Sequence, residues 1–154
     1  MKLPFTIEQF LKVFENYNTD IWPLQIIFIF LALIILFFAF RTGKYSGRII
    51  SLILSVFWLW MGIVYHITCF AGINSAAYVF GSVFIIQGLL FFVLGVYKDQ
   101  LNFEAKKSLK TYTAILLVIF ALLIYPVLGY LQGHVYPESP TFGVPCPTTI
   151  FTLG

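Results

Sequence analysis

Residues Ile21 to Phe40 read IWPLQIIFIFLALIILFFAF, with Gln25 the one strongly polar side chain and no charge. A helix of about 20 such residues is long enough to cross a hydrocarbon core. A strand there would leave backbone N–H and C=O groups without partners in lipid, and the alternation of a barrel strand is absent, so a helix is expected. The whole chain shares this character. Of 154 residues, 60% are hydrophobic and 10% charged, with mean hydropathy +0.96, whereas about a quarter of the residues in a soluble domain carry charge. The 18 Phe and nine Tyr suit lipid contact and the headgroup boundary.

Three further runs meet the same length criterion: Ile49 to Phe70, Ala76 to Val96 and Thr113 to Leu131. The expected fold is therefore an all-α integral membrane protein, a single domain over residues 1–154 built as a four-transmembrane-helix bundle. The run at Ile21 is too long for a signal-peptide core and lacks a small-residue exit, so no cleavable signal is expected. Orientation follows from the basic residues. Arg41, Lys44 and Arg48 lie between the first two runs, and Lys98, Lys106, Lys107 and Lys110 between the third and fourth, which makes seven of the nine. Such connections face the cytoplasm. The amino terminus, the turn at 71–75 and everything from Gln132 onward, with only Lys2 and Lys12, are then expected outside.

Ahead of the first run, PFTIEQFLKVFENY (Pro4 to Tyr17) predicts an amphipathic helix over about 5–18. Thr6 is its N-cap, Gln9 completes a capping box, and Phe5 and Phe10 form a hydrophobic staple. Ile7, Phe10, Leu11 and Phe14 share a face, suited to the membrane interface or to the mouth of the bundle. In the third run Gly81, Gly88 and Gly95 recur every seven residues, a seam that admits another backbone. It is expected to be a helix-packing seam, with a ligand or lipid groove along the same stripe, or a contact with a membrane-protein partner or a second copy, as alternatives. Pro126 should bend the fourth run, and Gly133 should cap it.

The segment GHVYPESPTFGVPCPTT, Gly133 to Thr149, carries four of the seven prolines, at 137, 140, 145 and 147. Each proline fixes its own φ and extends the residue before it, so a stiff loop is expected over 132–149. Cys146 or a threonine would then cap a helix with Pro147 in its first turn, and Ile150 to Gly154 would begin a fifth span. A cysteine at a helix N-terminus is favoured as thiolate. His66, Cys69, His134 and Cys146, all the histidines and cysteines of the chain, are expected near one membrane face. Imidazole and thiolate ligate zinc and copper, and imidazole ligates haem. His66, His134 and Cys146 are accordingly the candidate ligand or metal site. A Cys69–Cys146 disulfide and independent thiols stay open as alternatives, as do a helix-bonded His66 and a solvated His134. Gln25 and Gln87 are expected to bond across helices, and Trp58 and Trp60 to pack.

The chain contains no nucleotide-binding loop, readable Ser-His-Asp order, paired intramembrane carboxylates or nucleic-acid signature. Three functions remain: a protein that binds or senses a ligand or metal ion beneath the loop, an accessory subunit of a larger membrane complex, and a membrane enzyme with Cys146 as nucleophile. The motifs PFT-x-EQF at Pro4, YH at Tyr65 and GH-x-YP through PCPTTIFT-x-G, from Gly133 to Gly154, resemble a family of small bacterial multi-pass membrane proteins of unknown function. The resemblance implies a bacterial inner-membrane location and brings no known reaction, cofactor or partner. Members look longer, with further apolar spans after TIFTLG, so the chain is expected to be shortened after Gly154.

Overall fold

The computed structural model describes residues 4–154 and is all-helical among them; Lys2 lies outside the described residues. Six helices follow in order: α1 (Ile7–Asp20), α2 (Leu24–Phe40), α3 (Ser46–Phe70), α4 (Ala77–Tyr97), α5 (Leu109–Leu131) and α6 (Pro145–Leu153). Helices α3, α4 and α5 are each long and apolar enough to cross a membrane, while α2 counts as a fourth only together with α1, from which it turns by 84°.

Helix α1 begins as its sequence predicts. Thr6 Oγ1 accepts from Gln9 N, Gln9 Oε1 accepts from Thr6 N, and the Phe5 and Phe10 rings stack at 5.7 Å. Its buried face carries the expected stripe on toward the end of the helix, where it packs against α3, with Phe10 and Leu11 half-buried against the core. Val13, Phe14, Tyr17 and Asn18 are buried while Ile7 is exposed. Phe10 meets Phe70 at 5.9 Å, and Phe14 and Tyr17 meet Tyr65 at 6.0 and 5.2 Å.

Helix α3 is the hub, flanked by α2 and α4. The glycine seam of α4 is filled by this same chain. A Cβ on Gly81 would lie 2.9 Å from the Gly62 carbonyl oxygen, one on Gly88 2.8 Å from Leu59, and one on Gly95 would coincide with the Ser51 side chain. Ser55 Oγ also donates to Gly88 O at 2.8 Å. The heptad spacing thus marks a close helix contact, made with α3 of the same chain.

The expected four-helix bundle is built unevenly. Of the most apolar stretch of each long helix, 56% is buried in α3, 22% in α4 and 11% in α5. Helix α5 meets the rest chiefly through α6, which stands between it and α3. Pro126 is accommodated in α5 by a widened turn, in which Tyr125 N donates to Phe120 O five residues back. Gly133, at φ +85°, ends the helix. Gly133 N donates to Tyr130 O and His134 N to Gly129 O, both at 3.0 Å, the paired bonds of a Schellman cap.

The connections 41–45 and 98–108 lie together at one end of the bundle. Arg48 Nε pairs with Asp99 Oδ2 at 3.1 Å, and Ala105 N donates to Ala39 O at 3.0 Å. The seven basic residues of these connections and their flanks share this basic end. The loop 132–144 closes against α1 at the other, the cap end.

Candidate functional site

The cap is assembled around the last turn of α1. Asn18 is fully buried, and a buried amide needs partners for both its N–H donors and its oxygen. The loop supplies them. Asn18 Nδ2 donates to Pro137 O at 2.6 Å and Ser139 O at 2.8 Å, and Asn18 Oδ1 accepts from Thr141 Oγ1 at 2.7 Å. Its backbone oxygen accepts from Gln25 Nε2 at 2.7 Å and from the Tyr136 hydroxyl at 3.3 Å. Gln25 therefore bonds across the α1–α2 turn, one of the cross-helix bonds expected of it. Proline explains how the loop can present its carbonyls here. Pro137 and Pro140 have no N–H to satisfy and little backbone freedom to lose.

Tyr17 is the second anchor, also fully buried. Its hydroxyl donates to Gly143 O at 2.7 Å and accepts from Trp60 Nε1 at 3.0 Å. Burial pushes its phenol above the ordinary tyrosine range, so the neutral O–H is the form that donates. Three distant parts of the chain, at residues 17, 60 and 143, meet at one oxygen.

Beyond that contact the loop plunges inward. Gly143 sits at φ +110°, and a Cβ there would fall 2.6 Å from the Phe28 ring, so both backbone and space demand glycine. Phe142 packs edge-on against Phe57 at 5.7 Å and Phe151 at 5.4 Å. Val144, not Cys146 or a threonine, is the N-cap of α6, with Pro145 at its first position. A threonine still contributes: Thr148 Oγ1 accepts from Gly143 N at 3.2 Å. Helix α6 then runs down between α3 and α5, and Trp58 Nε1 donates to Thr152 Oγ1 at 3.1 Å. Trp58 and Trp60, expected only to pack, each use the indole N–H as a tie, which a buried indole requires.

The histidines and cysteines behave differently from the expected cluster. His66 is buried with neither ring nitrogen hydrogen-bonded. It faces α4, against Phe84 at 4.8 Å and Phe80 at 6.1 Å, whereas the loop docks on the side of α3 that carries Phe57 and Trp60. His134 is half-buried in the cap of α5. Cys146 is exposed in the first turn of α6, beside Tyr125, and Cys69 is half-buried. Both thiols are free. Among the described residues no three His, Cys, Asp or Glu side chains gather as a metal site. Sharing one end of a bundle leaves side chains on different faces of their helices, and that separation is what the linear spacing could not show.

The residues that do assemble the cap are Tyr17, Asn18, Trp60, Thr141 and Thr148. None carries a local sequence signal for this role, because the bonds between α1 and the loop join positions more than a hundred residues apart. No curated protein and no solved structure matches the chain. A family model does match, over residues 7–154, and includes every residue of the cap network; the chain belongs to this family of unknown function, DUF6064.

Proposed function

We propose that this is a multi-pass membrane protein of the bacterial inner membrane, with the cap outside and the basic end in the cytoplasm, that binds or senses a ligand through its cap. The orientation is supported by the seven basic residues at one end, since lysine and arginine near span ends are retained on the cytoplasmic side. The observation that carries the sensing role is the continuity of the cap with α6. The loop is fastened to α1 by Asn18 and Tyr17 and runs directly into the helix that separates α5 from α3. A ligand that favoured a displaced loop would shift α6 and with it the spacing of α5, by as much as its affinity differs between the two arrangements. Among the described residues no three His, Cys, Asp or Glu side chains gather, which gives no support to docking a metal ion among His66, His134 and Cys146.

A covalent lock tests this. Asn18→Cys with Thr141→Cys replaces the 2.7 Å contact between these side chains by a disulfide. In a strain lacking the gene, the double variant is expected to restore wild-type growth, under whichever condition the strain is impaired, less fully when its disulfide is oxidised than when the same variant is kept reduced, the loss of the Asn18 bonds being common to both arms. Equal rescue by the locked protein would refute a moving cap. It would favour the accessory-subunit reading, which the sparse burial of α5 also supports.

A further inference from the structure

The cap network makes no use of the buried imidazole. His66 is 7% exposed, and neither Nδ1 nor Nε2 has a hydrogen-bond partner among the described residues. An N–H and a ring nitrogen are thus both left unsatisfied, a cost that a phenylalanine in the same place would avoid. Packing alone therefore does not account for a histidine here. Its surroundings are aromatic, with Phe84 at 4.8 Å, Tyr65 at 5.4 Å, Phe80 at 6.1 Å and Phe70 at 6.4 Å. Ionisable groups on the elements packed around it are few. Helix α3 brings Tyr65 and Cys69, α4 brings only Tyr78 and, at its far end, Tyr97, and the turn 71–76 brings none. Helix α1 brings Glu8, Tyr17, the Lys12–Glu15 pair and Asp20, the last of these near Cys69. None of these carboxylates forms an ion pair with the imidazole.

The ring also sits at a turning point of the α3–α4 seam. One turn before it, a Cβ on Gly62 or Gly81 would lie 2.8 or 2.9 Å from the facing carbonyl oxygen, the tightest backbone approach of the two helices, and a Cβ on Gly81 would be 3.2 Å from that of His66. Toward the basic end the seam continues through the Ser55–Gly88 bond. Toward the cap it ends at Phe70, four residues beyond His66, a rise of roughly 6 Å.

We infer that His66 is a proton-operated joint: with a neutral ring the cap end of the α3–α4 seam is closed, and with a protonated ring that end opens about the Gly62–Gly81 crossing. A proton is the one ligand that needs no cavity beside the ring. An imidazolium held there gains some cation–π attraction from Phe84 and Phe80, which is small beside the loss from withdrawing an ion from water with no counter-charge. A short outward motion ends that loss, because the boundary is only one turn away. The closed form binds no proton at this ring and the open form binds one. The open form therefore gains tenfold per unit as pH falls below about 6.5, the ordinary imidazole value. Phe70 also packs against Phe5 and Phe10 at 5.5 and 5.9 Å, so the opening is felt by α1 as well. The inference rests on the reading above only in taking the cap end as the outer one, which makes acid outside the cell the signal; it does not depend on movement of the loop.

Ala77 can report the opening. It is fully buried and lies one turn before Gly81 on the same face of α4. In the purified full chain with Cys69 and Cys146 replaced by serine, the alkylation rate of Ala77→Cys is measured with His66 present and with His66→Phe. The ratio of the two rates cancels the thiol's own ionisation, and it is expected to rise about thirty-fold between pH 7.5 and pH 5. His66→Leu supplies the reference if the phenylalanine variant does not fold. His134→Asn, which removes the other histidine, should keep the full rise. A flat ratio, or a rise that disappears with His134→Asn, would overturn the joint. If Ala77→Cys itself does not fold, the unfolding constant of the otherwise unaltered chain relative to His66→Phe decides, with the same thirty-fold rise expected and a flat ratio overturning the inference. Protein in detergent has no sides, so these outcomes are independent of orientation, which reagent access in intact cells tests separately.

Discussion

The two ends of this molecule solve the same problem in opposite ways. At the cap end an irregular loop enters the interior, and its carbonyls are taken up by Asn18 and Tyr17. At the basic end the loop 98–108 stays at the surface, held by an exposed ion pair and a backbone bond to Ala39. Backbone buried away from water must find partners inside the protein, so the cap end is specified residue by residue. Backbone at a wet, charged boundary has water to bond to, and little is specified there.

The contrast is open to attack by substitution. Asn18→Ala would strand the carbonyls of Pro137 and Ser139 and the hydroxyl of Thr141. At 1–3 kcal/mol for each unsatisfied buried group, softened by any water that enters, the loss is expected to be about 3 kcal/mol or more in an unfolding titration in mixed micelles. A loss below that of an ordinary surface change would mean that the cap is not held as described. Gly143→Ala should follow, at about 2 kcal/mol, because it combines a left-handed backbone with overpacking against Phe28. Smallest is Asp99→Asn at the basic end. Its partner Arg48 is well exposed, and asparagine tolerates the φ of 55° there, so the change is expected to fall within about 0.5 kcal/mol and to shrink further in salt. A larger cost would show the basic end to be as tightly determined as the cap.

Much of the fold was legible because its causes are local. The capping box at Thr6 and Gln9, the Phe5–Phe10 staple and the Gly133 cap each depend on residues within a few positions, and the long apolar helices on composition over about 20. The α4 seam was legible as a close contact, though the heptad of glycines is silent on whether the approaching backbone comes from the same chain. What could not be read is the cap. Asn18 is, in the sequence, a polar residue near the end of an amphipathic helix, where solvent exposure is the ordinary outcome, and nothing nearby signals that Pro137, Ser139 and Thr141 will close over it. The faces on which the histidines and cysteines lie were out of reach for the same reason. Assignment to an end of a bundle follows from span boundaries, but assignment to a face needs the packing of α3 between α2 and α4.

The join between Tyr17 and Gly143 spans 126 positions, which orders events during synthesis. At about 5–20 residues per second the ribosome needs roughly ten seconds to make that much chain. Throughout that interval Tyr17 and Asn18 lack their loop partners, although the Phe14 and Tyr17 rings can already meet Tyr65 of α3. Helix α1 is thus fastened in two steps, first to α3 and last to the loop, so a chain stalled before the loop emerges would leave the Asn18 amide and the Tyr17 hydroxyl without the carbonyls that hold them.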